Sequence, residues 1–209
     1  MAISGYLQIT GTVAGVPVSC VYNRTAAAGL PAQDVTLAAG NAGTLSTRTS
    51  DTAGTLTLES GHDISTGDVI DVHWTDADGD PQCAYGATVG TVDVLSVPFT
   101  GAAGTALPVQ DFVIVADEVQ VLDVDFDGDK LQMIVAVSTQ VGHIVFEDSG
   151  DAVLDNAVLR AAKEPYFFVK NAGMTNELAG NPVDEIHISN GHATETARFQ
   201  LVGTYDSDT

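Results

Sequence analysis

Basic residues are the scarcest feature of this chain: 7 Lys and Arg stand against 28 Asp and Glu, for a net charge of −21 at pH 7. Affinity for a phosphate backbone comes from Lys and Arg displacing counterions, so nucleic-acid binding is excluded. The same field repels anionic membranes. Solubility alone, or a salt-rich host, accounts for the acidity equally well. Cysteine is almost as rare. Cys20 and Cys83 fall in separate expected strands, and without a Cys-x-x-Cys pair no metal or redox motif is implied. Each reads as a small core hydrophobe, and a disulfide between them stays open. No stretch approaches the about 20 continuous apolar residues that a membrane helix needs. The opening MAISGYLQITG has neither the basic nor the apolar region of a secretory signal, so folding in a reducing cytoplasm is expected. Gly-x-Ser-x-Gly, the P-loop and the dinucleotide fingerprint are all missing from the sequence. The five histidines, His62, His73, His143, His187 and His192, show no His-x-His or His-x₃-His spacing. No enzyme is expected.

What is present is Val, Ala, Leu, Thr and Gly, the composition of a folded β protein. The first half is organised around residues 54–94. Four short apolar runs, Thr55–Leu58, Val69–Trp74, Cys83–Thr88 and Thr91–Val94, are separated by Gly- and Asp-rich turns. Val69, Asp71 and His73 alternate with Ile70, Val72 and Trp74, the period of a strand. Runs so short and so close meander antiparallel. Before them, Gly5–Tyr22 reads as a hairpin, Asn23–Asp34 as a small-residue loop and Val35–Leu37 as a strand start. The near-repeat of Ala42-Gly43-Thr44-Leu45 in Ala53-Gly54-Thr55-Leu56 fits successive hairpin strands. Ser96–Pro108 reads as a second small-residue loop, and Asp111–Val115 as an apolar strand.

Around Ala116-Asp117-Glu118 glycine thins out and the runs lengthen, which places a domain boundary there. Seven segments follow: Val119–Val124, Leu131–Thr139, His143–Phe146, Val153–Leu159, Tyr166–Lys170, Glu185–Ser189 and Thr196–Thr204. Their spacing is that of a β-sandwich. Asp155–Lys163 is the one stretch with helical character, with Asp155 as an N-cap and Pro165 beyond its end. Asn171–Asp184 reads as a long loop and a contact surface. The expected fold is all-β. A small β-barrel or meander over residues 1–116 precedes an immunoglobulin-like or jelly-roll β-sandwich over residues 117–209.

Two acidic turns are candidates for metal. Asp123, Asp125, Asp127 and Asp129, with Gly128 between the last two, match the opening of a calcium loop, where hard oxygens alternate and glycine permits the bend. Ile134 stands where the bidentate Glu belongs, and the flanks alternate as strands. A tight hairpin turn calls for the same residues, so a hairpin and a structural calcium site both stay open. Asp76-Ala77-Asp78-Gly79-Asp80 poses the same choice. Asp184-Glu185-Ile186-His187 offers part of a metal or acid–base set, against the plainer reading of a packed strand histidine. No other cofactor is expected.

His62-Asp63-Ile64-Ser65-Thr66-Gly67-Asp68-Val69-Ile70 resembles the H-G-[apolar]-x-x-G-D-x-V strand–turn–strand of tailed-bacteriophage virion proteins, with Asp63 in place of the glycine. The likeness extends over roughly residues 35–115. It implies a structural subunit of a phage particle, assembled in the host cytoplasm and resident in the virion. Its partners would be copies of itself, a trimer being one form, and the major capsid protein. A capsid decoration (cement) protein is the leading expectation, since two β modules joined by a short link suit one that anchors and one that projects. Small-residue loops (Ala26–Pro31, Gly101–Pro108, Asn171–Gly180) can lie on neighbours. A tail-tube or head–tail component is the alternative, although no extended hairpin is evident in the sequence. A carbohydrate- or calcium-binding β-sandwich is the reading from another class.

Overall fold

The computed structural model describes residues 3–13, 16–26, 28–29, 33–116, 120–160, 165–170 and 175–205, with side chains from residue 34 onward except at 120 and 169. Every strand pairing is antiparallel, and no α-helix occurs among the described residues. The chain opens with β1 (Ile3–Val13) and β2 (Val16–Ala26), then β3 (Ala28–Gly29) and β4 (Gln33–Leu37). Next come β5 (Asn41–Ser50), β6 (Ala53–Leu58), β7 (Val69–Thr75), β8 (Pro81–Val89), β9 (Ser96–Thr100), β10 (Ala103–Gly104) and β11 (Phe112–Ala116). The last set is β12 (Gln120–Asp127), β13 (Leu131–Ser138), β14 (Val141–Glu147), β15 (Val153–Arg160), β16 (Tyr166–Val169), β17 (Pro182–Asn190) and β18 (Ala197–Tyr205).

β5 to β11 form one sheet in the order β10-β8-β7-β11-β5-β6-β9. Its hydrogen-bonded path returns on itself, because β9 pairs with β6 and also with β8. Leu45, Leu56, Ile70, Val72, Trp74, Val97, Phe99, Val113 and Val115 fill its interior. The repeated Ala-Gly-Thr-Leu segments are neighbours, as their spacing predicts: β5 and β6 pair. The H-x-x-x-x-G-D turn folds for local reasons. Gly67 adopts φ of 95°, Asp68 Oδ2 accepts from the Ser65 N–H at 2.6 Å, and Ile64 is buried beneath.

The second half supplies a four-stranded sheet, β12-β17-β14-β15, and a five-stranded one built on β16-β13-β18. Both sheets contribute to one core, with Phe126, Ile144, Phe146 and Ile186 from the first and Leu131, Ile134, Phe199 and Leu201 from the second. β3 and β4 complete the five-stranded sheet by pairing with β18, so pairing crosses the boundary expected near residue 116. Arg198 clamps Asp34 there, with Nε and Nη2 donating to its two carboxylate oxygens at 2.8 and 2.5 Å.

Several local expectations are corrected. Asp155–Lys163 is not helical: β15 runs to Arg160 and pairs with β14, and residues 161–164 lie outside the described set. Sheet pairing and burial of Leu159 override the helix signal of Ala and Leu. Asp127-Gly128-Asp129 is not a hairpin turn, since β12 and β13 belong to different sheets and a 3-10 turn, Gly128–Lys130, arches between them. Thr91–Val94 forms no strand: Val94 sits at φ of 48° in a bend closed by the Asp93–Ser96 bridge. The two small-residue loops contain strands, β9 and β10 in one, the end of β2 with β3 and β4 in the other. The N-terminal hairpin is longer than expected, eleven residues in each arm.

Candidate functional site at the junction of two sheets

Burial along the strands locates the site. β18 alternates buried and exposed positions, as a strand with one covered face must. β7 buries five consecutive residues and β14 six. Each of these strands therefore has a second covered face, and the two faces meet. β7 turns Asp71 and His73 away from its own core, and β8 adds Cys83, the cross-strand partner of His73, and Tyr85. Opposite them stand His143 on β14, Asn156 on β15 and Ser189 on β17. Cys83, Tyr85, Val145 and Val158 form an apolar patch beside the polar groups, and Arg160 pairs with Asp80 at 2.9 Å.

A register shift between Ile70 and Val72 makes room for the centre. Gly86, at φ of 68°, turns its N–H onto Asp71 Oδ1 at 2.9 Å. Ser189 Oγ donates to Asp71 Oδ2 at 2.5 Å. With that proton committed, Ser189 Oγ accepts from His73 Nε2 at 3.1 Å. Cys83 Sγ lies 3.9 Å from the same nitrogen. His143 donates through Nε2 to Asn156 Oδ1 at 3.3 Å, and Tyr85 stacks on its ring at 4.7 Å. That leaves His143 Nδ1 without a hydrogen-bond partner, 4.0 Å from Asp71 Oδ2. His73 Nδ1 also lacks a partner and faces Gly191, where a Cβ would stand 2.8 Å away.

Asp71, His73, Cys83, His143 and Ser189 are all at most 4% exposed. Burial holds His73 down to about 4, against the pull of Asp71, so the imidazole is neutral. Burial also lowers His143, with Asp71 and Asn156 opposing. The Cys83 thiol is pushed well up by burial and then by Asp71, which keeps it protonated and a poor nucleophile. The order of Ser, His and Asp is not that of a hydrolase. There the imidazole lies between hydroxyl and carboxylate and takes the hydroxyl proton. Here Ser189 lies between His73 and Asp71 and donates to the carboxylate directly. The arrangement is a relay that ties two sheets together.

The residues flagged in the sequence fall elsewhere. Asp123 and Asp125 are exposed on β12. Asp127 Oδ1 caps the Asp129 N–H at 2.9 Å, and Asp129 Oδ1 accepts from Gly180 N at 2.9 Å. Those oxygens stabilise the arch between sheets. Asp76 plays a similar part in its turn, accepting from the N–H groups of Asp78 and Asp80 and from Gln82, with the Asp80 bond foremost in lowering its carboxyl. Glu185 and His187 do converge, joined by Glu147 rather than Asp184: His187 Nε2 lies 2.9 Å from Glu185 and 3.5 Å from Glu147. That cluster continues the stripe of β14 and β17 on which His143 and Ser189 are paired. Asn156, Ser189 and Gly191 were not flagged. For Ser189 the signal is polar residues at every second position, Glu185-x-His187-x-Ser189, which also describes an ordinary wet face. No family model, curated protein or solved structure matches this chain.

Proposed function

We propose that the protein is a structural subunit of a tailed-phage particle, a capsid decoration (cement) protein acting through contacts with copies of itself and with the major capsid protein. The observation that carries this reading is the β1–β2 hairpin, eleven residues in each arm, which pairs with no third strand among the described residues. A two-stranded ribbon is marginal in water by itself and gains stability when a further strand or surface covers it. A neighbouring copy is the natural source. The closed pairing of β5 to β9 with β11 supports a six-stranded barrel, and the two sheets around one core support an immunoglobulin-like sandwich, the two modules expected of such a subunit. A charge of −21 keeps free subunits apart from one another and from the packaged genome until specific contacts form. The deeply buried, interlocked junction suits a part that bears load rather than one that reacts.

The length of the hairpin also favours a second reading, a tail-tube subunit in which the ribbon reaches the next copy in a ring. Light scattering and electron microscopy of purified protein separate the two. Discrete trimers that decorate empty capsids support decoration, and stacked rings or open tubes support the tail. A monomer at high concentration that binds neither shell nor itself overturns both.

A further inference from the structure

We infer that the buried junction is a binding site for one divalent transition-metal ion of the zinc class, ligated by Asp71, His73 and Cys83 from one sheet and His143 from the other. Ligand atoms of the first three already lie within 4.8 Å of one another. His143 supplies the independent observation. Its ring is 2% exposed, its Nε2–H is fixed on Asn156 Oδ1, and its Nδ1 has no partner and stands 4.0 Å from Asp71 Oδ2. Metal-bound imidazoles are held in this way, with one nitrogen on a carbonyl or carboxylate and the other presented to the ion. The donor set selects the metal. Sulfur and two imidazole nitrogens are too soft for calcium or magnesium, while zinc accepts S, N and O in a four-coordinate shell.

Charge supports the same assignment. One carboxylate and one thiolate offset the two positive charges of the ion, so the loaded site buries no net charge. Binding replaces the thiol proton of Cys83 with the metal and releases that proton to solvent. Coordination through Nε2 leaves the His73 proton on Nδ1. That side meets Gly191, and both residues line a recess of about 270 Å³ that also borders the exposed Phe112. Ser189, displaced from His73, keeps its bond to Asp71 and orients the carboxylate. The ion would thus fasten the two halves of the chain at the point where they touch.

The test uses the full chain with Cys20→Ser, so that Cys83 is the sole thiol. It is refolded from denaturant with Co²⁺, because the site is sealed in the folded state, and Zn²⁺ is then added. One Co²⁺ per chain is expected, with a thiolate-to-cobalt charge-transfer band and the visible bands of a tetrahedral ion, both lost on zinc exchange. Refolding with Zn²⁺ should raise Tm by several degrees over an EDTA-treated control. Cys83→Ser, nearly isosteric, should fold by circular dichroism yet lose the charge-transfer band. His143→Gln should weaken Co²⁺ binding about tenfold or more. A natively refolded chain that retains no ion overturns the assignment. So does a bound Co²⁺ without the thiolate band, which would place the metal at Glu147, Glu185 and His187.

Discussion

Ser189 Oγ donates to Asp71 Oδ2 at 2.5 Å across 118 positions of sequence, and this bond is the centre of the contact between the two halves of the chain. Ser189→Ala leaves the buried carboxylate short of a donor and the His73 N–H short of an acceptor. A loss of about 1–3 kcal/mol is expected, because a buried group left unpaired costs its desolvation. Urea unfolding measures it. Asp71→Asn in the same background should recover part of the loss, and strict additivity of the two changes would argue against the coupling.

Acid should loosen the metal-free protein through its buried histidines. His73 titrates near 4 in the fold and near 6.5 when unfolded. Between those values the unfolded chain binds the extra proton, so stability rises with pH and is lost as pH falls through that window. The loss approaches about 3 kcal/mol by pH 4. His143, lowered by burial as well, acts in the same direction. Asp34 and Asp76 are lowered from 3.8 and weaken the fold only at more acidic pH. Unfolding curves in EDTA at pH 7 and pH 5 test this, and equal midpoints would refute it.

Gly191→Ala should be costly although no secondary structure is broken. The added carbon would stand 2.8 Å from His73 Nδ1 and 2.9 Å from its Cγ, in a ring already held on the other side by Ser189. Overpacking of this kind costs about 1–3 kcal/mol. Thermal unfolding reports it, and an unchanged Tm would mean that the imidazole is free to move.

Proline in β2 probes assembly. Neighbouring positions of an antiparallel ladder alternate between bonded and non-bonded pairs. Of Cys20→Pro and Val21→Pro, opposite Ile9 and Gln8, one therefore removes a ladder donor. That variant should lose self-association in light scattering while the circular dichroism of the remainder persists. Two variants that assemble like the parent would exclude the hairpin from the contact.

Much of the fold could be read from the chain, and the reasons are local. Strands β12 to β14 and β16 to β18 are legible because Leu131-Gln132-Met133-Ile134-Val135 and its counterparts are largely apolar runs separated by turn residues. β15 was obscured because Asp155-Asn156-Ala157-Val158-Leu159-Arg160 carries a cap and helix formers, and only pairing with β14 decides it. The short β9 and β10 were hidden by Pro98, Gly101 and Gly104. The junction could not be foreseen. Asp71 and His73 alternate with Ile70 and Val72 as solvent-facing residues do, and nothing nearby in sequence states that β14 and β17 will cover them. Depth was the missing quantity, and it depends on contacts more than 100 residues away.

The pairing of β4 with β18 has a consequence for biosynthesis. Residues 33–37 leave the ribosome long before residues 197–201, the positions they pair with. Until β18 emerges, β4 lacks the strand it joins. A polypeptide cut short before β18 would leave β4 unpaired. Quality control is thereby written into the topology, since only a chain that has reached residue 201 can fix β4 in place.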